Sequence, residues 1–504
     1  MRSVSVSRER VIRDLSLLRT RRQSIWRAAL RGAFIAMLAF GAMHFAAATT
    51  IVVDDSGDDA TCAGFYNLRC AINYANANPS TSIRFAPGLP AVLLLGSLPT
   101  ITGDGTWIDG HDINGGCACP RIDGAFWTGP SGNAMTINAS YVTISNLRFV
   151  RIPPAISNAD VAIMGGKDIA IAFDYLGLLP GATQCAVSDA GAGVSITGDG
   201  SGASGADNGA AYIYGSTIGC HNLAGVYALQ SGYVTVGTDR AGNSFGDLIG
   251  IADDGVHAAG NGIGVYADHQ ADNMTIRNNR IGYSSLYGVY SSTAASTSLL
   301  YNEISNNASV GVNFLYGNSH LVIGNKIGTT SDGLASAPNG SIGVAFSDVG
   351  TGTVVTDNLV AYNRGAGMEV QGQSHVAIEN NDIYANASIP IDLGNDGFSP
   401  NGLHFPPGPN DWLPYPVITN GSTNLITGTA CVNCIVYIFK AIGDPSRPGG
   451  GGKFVTNVFA SSSGAWVATL PTGMTRDDVA LTAGSSGGTS EMSPRDVIFR
   501  NGFE

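Results

Sequence analysis

Four aspartates in the middle of the chain have the type and spacing for acid and base work on a sugar. Asp253 and Asp254 are adjacent in "ADDGVHAAGNG", and Asp268 and Asp272 flank "HQA" just before Arg277 and Arg280. Glycoside hydrolysis needs two carboxylates facing one bond across a short gap. A lyase reaction needs calcium held by carboxylates and a basic residue to take the proton. Neighbours on a strand point to opposite faces, so Asp253 and Asp254 converge only in a loop. The plainer expectation is a solvated turn for the first pair and a loop at the start of a repeat for the second. Asp392 and Asp396, in "IDLGNDG", are candidate calcium ligands, and no other cofactor is expected. No His pair has the helix spacing of a zinc site, and His257 and His269 are expected at the surface.

Aromatic side chains offer a different chemistry. Tyr266, Tyr290 and Asn313 each follow a Gly-Val pair in successive repeats, with Ala345 and Glu369 at the next two equivalent positions. If Val faces inward, this column faces outward. Exposed ring faces cover sugar C–H surfaces while neighbouring amides bond hydroxyls, so Tyr266, Tyr290 and Asn313 are candidate ligand-binding residues.

These columns belong to a repeat aligned on Asn-x-Ile, with Asn at 279, 302, 325, 358 and 381. Three residues before each Asn stand Ile276, Leu299, Val322, Val355 and Ile378, and two after it Ile281, Ile304, Ile327, Val360 and Ile383. A further column reads Gly264, Gly288, Gly311, Gly343 and Gly367. The one long interval is assigned to an inserted loop, "TSDGLASAPN". A unit of about 23 residues, rich in β-branched positions and turns, is a coil of a parallel β-solenoid rather than a helical repeat. Stacked coils place equivalent residues in ladders, so Asn279, Asn302, Asn325, Asn358 and Asn381 are expected as an internal amide ladder and the aliphatic columns as core.

The first 31 residues hold nine Arg and two acids, followed by "AFIAMLAFGAMHFAAA", which predicts a secretory signal peptide over 1–48. Removing it takes the formal charge from -12 to -19. With only four Lys, the exported chain is not expected to bind nucleic acid, and no transmembrane span is expected in it. Eight Cys in such a chain point to disulfides: Cys431 with Cys434 across a Val-Asn turn, and, by position, Cys62 with Cys70 and Cys185 with Cys220. The pairing of Cys117 and Cys119 is left open.

"NLRCAINYANANPSTSIRF", with Leu68, Arg69, Ala71, Ile72, Ala75 and Asn76, is similar to the C-S-L-R-E-A-I-x-x-A-N segment of bacterial secreted right-handed parallel β-helix proteins. It departs at Tyr66 and Cys70. "WIDG", "PRIDG" and "YVTISNLRFV" resemble the first coils of that family, and "IPIDLGNDG" and "GPNDWLPYPVIT" its approach to a C-terminal β-sandwich. The resemblance implies an all-β protein, adhesin-like, placed outside the cell, at its surface or in the periplasm of a Gram-negative bacterium. Asn67 is the expected N-cap of a short helix over the first coil. The expected organisation is a cap segment over 49–100, a right-handed parallel β-helix over 101–398, a Pro-rich linker over 399–416, a β-sandwich over 417–495 and a tail over 496–504. Binding to a polysaccharide or cell-surface glycan is the expected activity, with a polysaccharide-degrading enzyme and a ligand-free structural solenoid as alternatives.

Overall fold

The computed structural model describes residues 49–62, 66–185, 189–198, 211–421 and 424–495; the expected signal peptide and tail lie outside them. Within these residues the chain winds as a right-handed parallel β-helix. One coil runs Thr275–Arg277, Arg280–Gly282, Val289–Ser292, and the next begins at Ser298–Leu300. Each strand of a coil joins its own sheet, which gives parallel sheets of twelve, eleven and ten strands. Register is kept from coil to coil: Ile276 pairs with Leu299, Ile281 with Ile304, and Val289 with Val312. Side chains of one kind therefore stack, and all five members of each aliphatic column are fully or almost fully buried.

The Gly column is forced by that core. A methyl on Gly311 would stand 2.7 Å from the Gly343 carbonyl and 3.1 Å from Cγ2 of Ile327; on Gly367 it would meet Cγ2 of Ile383 at 2.5 Å. The two columns occupy the same space across the coil, so one must be glycine where the other is branched.

Both ends of the solenoid are closed. At the N-terminal end the helix Leu68–Ala77 buries Leu68, Cys70, Ala71, Ile72 and Ala75, and Asn67 caps it by accepting from the Cys70 amide. At the other end, the second sheet continues into antiparallel strands through a bridge from Ile383 to Gly452. Thr489 Oγ1 accepts from the Ile378 amide, Asn410 Oδ1 from Val376, and Glu491 Oε1 from Leu393. The last strand of every sheet thus finds a partner beyond itself, which removes the open edges that template aggregation. The antiparallel strands enclose a second core of Ile426, Val436, Ile438, Trp466 and Leu481. Within the stretch 399–416, most of 400–407 is exposed, but Asn410 is wholly buried and Trp412 lies against the main core.

Cys62–Cys70, Cys185–Cys220, Cys431–Cys434 and Cys117–Cys119 are disulfide-bonded. In the inserted loop, Thr329 bridges to Ser336, but Asn339, expected as part of the insertion, returns to the core with no exposure.

Candidate functional site

The expected Asn column is a ladder in the corner between the first and second sheets. The amides of Asn279, Asn302, Asn325 and Asn358 donate to Oδ1 of the Asn one coil on, at 3.0, 2.8, 2.8 and 2.9 Å. Each Nδ2 donates in turn to a carbonyl of the preceding coil, as from Asn302 to Ile276 and from Asn381 to Val355. Both polar atoms of each of these Asn side chains are thereby paired. The ladder also reaches further than the sequence repeat indicated. Leu147 N donates to Asp174, Asp174 N to Ser216, Ser216 N to Asp247 and Asp247 N to Asn279, at 2.7 to 3.1 Å. A second ladder runs after the second sheet through Ser284, Asn307, Asn339, Asn363 and Asn386.

Each of the four candidate aspartates is engaged by its own neighbours. Asp253 accepts from the Gly181 amide at 2.8 Å. Asp254 accepts from the backbone of His257 and Val256 and pairs with the His257 ring; those hydrogen bonds hold its carboxyl down to about 2. Asp268 lies 2.7 Å from His269 Nδ1 and accepts from Tyr227 Oη at 3.3 Å, while Asp272 accepts from the Ala295 amide at 2.6 Å. No two of the four share a partner. Arg280, expected beside them, pairs instead with Glu303, and Arg277 lies over the Tyr301 ring. His257 and His269 are exposed as expected.

The tyrosines lie together on the outer face of the third sheet. Strand register places Ser195, Tyr227, Tyr266, Tyr290 and Asn313 in one outward row, which continues through Ala345, Glu369 and Asp392. Ring centroids are 5.1 Å apart from Tyr227 to Tyr266 and 5.0 Å from Tyr266 to Tyr290, the latter pair stacked. The rings thus lie against one another along the row, and the hydroxyls of Tyr227 and Tyr266 are hydrogen-bonded to Asp268. Burial and the nearby Asp268 carboxylate push the Tyr227 hydroxyl up to about 12 and raise that of Tyr266 as well. Both hydroxyls therefore stay protonated donors.

The far end of the row is acidic and covered. Glu369 and Asp392 are buried, and burial raises both carboxyls. One oxygen each from Asp392, Asp396 and Glu491 lie within 4.8 Å of one another. Burial raises Glu491 to about 8 although two backbone amides, of Ser399 and Leu393, donate to it. An all-oxygen set of this kind suits a hard divalent cation. Glu491, about 100 residues from the other two, was not visible as a partner in the sequence.

Another buried group escaped the sequence reading. His221 Nε2 is 3.0 Å from Asp160 Oδ2, and its Nδ1 is 3.1 Å from Asn261 Oδ1, with both titratable side chains wholly buried. Burial raises the acid and lowers the imidazole, which favours the neutral pair, with the proton on Asp160.

Residues 254–403 match the family model described as a right handed beta helix region. Among solved structures, the chain is similar to the periplasmic alginate epimerase AlgG, at 13% identity over 66% of this chain and 73% of that one, with a TM-score of 0.35. It is also similar to the Dettilon tailspike protein, at 10% identity, 83% and 93% coverage and a TM-score of 0.45. A third is a tailspike from Acinetobacter baumannii bacteriophage Fri1, a capsular polysaccharide depolymerase, at 11%, 85% and 79%, with a TM-score of 0.37. No curated protein matches. Among the described residues, no helix is long and apolar enough to cross a membrane.

Proposed function

We propose that this chain is an exported, adhesin-like binding protein that holds a saccharide chain along the outer face of its third sheet. The observation that carries the reading is the row Ser195, Tyr227, Tyr266, Tyr290 and Asn313, in register on successive strands. It repeats hydrogen-bonding groups about every 4.8 Å along a rigid rod, a scale suited to an extended polymer of hydroxylated units. Export is supported by four disulfides, which persist in oxidising compartments. Binding is preferred to cleavage because each of the four candidate aspartates is occupied in local structure.

The test is retention of the purified chain on a panel of immobilised neutral and acidic polysaccharides. Tyr266→Ala with Tyr290→Ala is expected to lower retention about tenfold or more, a loss of roughly 1.4 kcal/mol, with the fold intact by circular dichroism. Equal retention by the variant would remove the row as the site. Shortening of the polysaccharides would replace binding by catalysis. Calcium, where it acts, sits at Asp392, Asp396 and Glu491; a rise of several degrees in the midpoint on adding it, abolished in Glu491→Gln, tests that position.

A further inference from the structure

The corner ladder changes character along the rod. From Asn279 onward its rungs are Asn, each using Oδ1 to accept from one coil and Nδ2 to donate to a carbonyl of another. Asp174 and Asp247 fill the same rung in earlier coils and use Oδ1 in the same way, accepting from Leu147 and Ser216 at 2.8 and 2.7 Å. Their Oδ2 atoms are buried and have no hydrogen-bond partner. An ionised carboxylate offers only acceptors, so it cannot do at Oδ2 what the amide does at Nδ2. Neither ladder carries an acid beyond Asp247, so the difference is confined to the N-terminal coils.

We propose that Asp174 and Asp247 keep a proton on Oδ2 in mildly acid solution, where it spares the interior a buried charge without a partner, and that its loss in mild alkali loosens the coils that hold them. Burial is the main cause that raises Asp174 to about 8 and Asp247 to about 7, against the opposing pull of backbone amides. The Asp109 carboxylate faces Asp174 and raises it further, and Tyr214 is the other titratable group that senses Asp174. At Asp247 the ladder neighbours are Ser216 and Asn279, neither of which titrates in this range.

Both carboxyls have a value of 3.8 when free. Their contribution to stability is then complete below that pH and is lost as pH rises through about 7 and about 8, because the unfolded chain has already released protons that the folded chain must keep.

Amide exchange of the full chain, corrected for its intrinsic pH dependence, reads the effect coil by coil. Between pH 6 and pH 9, protection of Tyr175–Leu176, Thr217–Ile218 and Leu248–Ile249 is expected to fall about tenfold or more relative to Glu303–Ser305 and Leu359–Ala361. Asp174→Asn with Asp247→Asn should lessen that fall; Asp189, which burial raises to about 7 in the same coils, keeps its own share of the pH dependence. An equal fall in both halves, or the same fall in the double variant, would overturn the proposal. Should the double variant not fold, Asp174→Asn and Asp247→Asn taken singly decide: each is expected to lessen the fall in protection of its own coil, and an undiminished fall in both rejects the proposal.

Discussion

Asn325 illustrates how much one amide carries in this fold. It accepts from Asn302 N and Nδ2 and donates to Leu299 O and Asn358 Oδ1. Asn325→Ala is expected to cost about 2–3 kcal/mol, because buried groups on both neighbouring coils lose their partners; chemical denaturation measures it. Asn325→Asp should match this loss above neutral pH and recover part of it in acid, by the protonation argued for Asp174 and Asp247. The Asn column was readable in the sequence because each rung repeats both type and spacing. Asp174, Ser216 and Asp247 were not, since type changes at each step and the separations are 42, 31 and 32 residues. Asn339 was hidden for a related reason: an insertion places it 32 residues from Asn307, whereas Asn363 and Asn386 are 23 apart. Local spacing fails wherever a loop leaves the coil and returns.

The coil as a unit was legible because its core is periodic in both chemistry and geometry. Gly311→Ala tests the fit of its two columns: the added methyl meets the Gly343 carbonyl and the Ile327 side chain, and a loss of about 1–3 kcal/mol is expected in the same denaturation measurement. The cap helix follows from its own sequence, with Asn67 placed to accept from Cys70; Asn67→Ala should cost about 1 kcal/mol. The tyrosine row was legible from Tyr266 onward, with Tyr266 stacked on Tyr290 of the next coil, but its extension back to Tyr227 was not. The acidic cluster needed tertiary structure: Glu491 comes from the antiparallel part of the chain and reaches Leu393 across 98 residues.

Taken as one body, the solenoid depends on what closes its ends. The C-terminal strands do more than follow the coils: they supply Thr489, Asn410, Glu491 and the Gly452 bridge to strands that would otherwise present unpaired backbone. A chain ending at residue 398 is expected to self-associate, and light scattering at micromolar concentration would detect it; a monodisperse monomer would show that the exposed edges are harmless. The coils with Asn rungs, by contrast, repeat one pattern: each takes its hydrogen bonds from the one before and passes the same pattern to the one after. Gain or loss of a single 23-residue unit between the two closures would change the reach of the molecule by about 4.8 Å and leave both closures intact. Such a protein can evolve as a ruler, in which length is adjusted by whole copies and the binding row is lengthened or shortened with it.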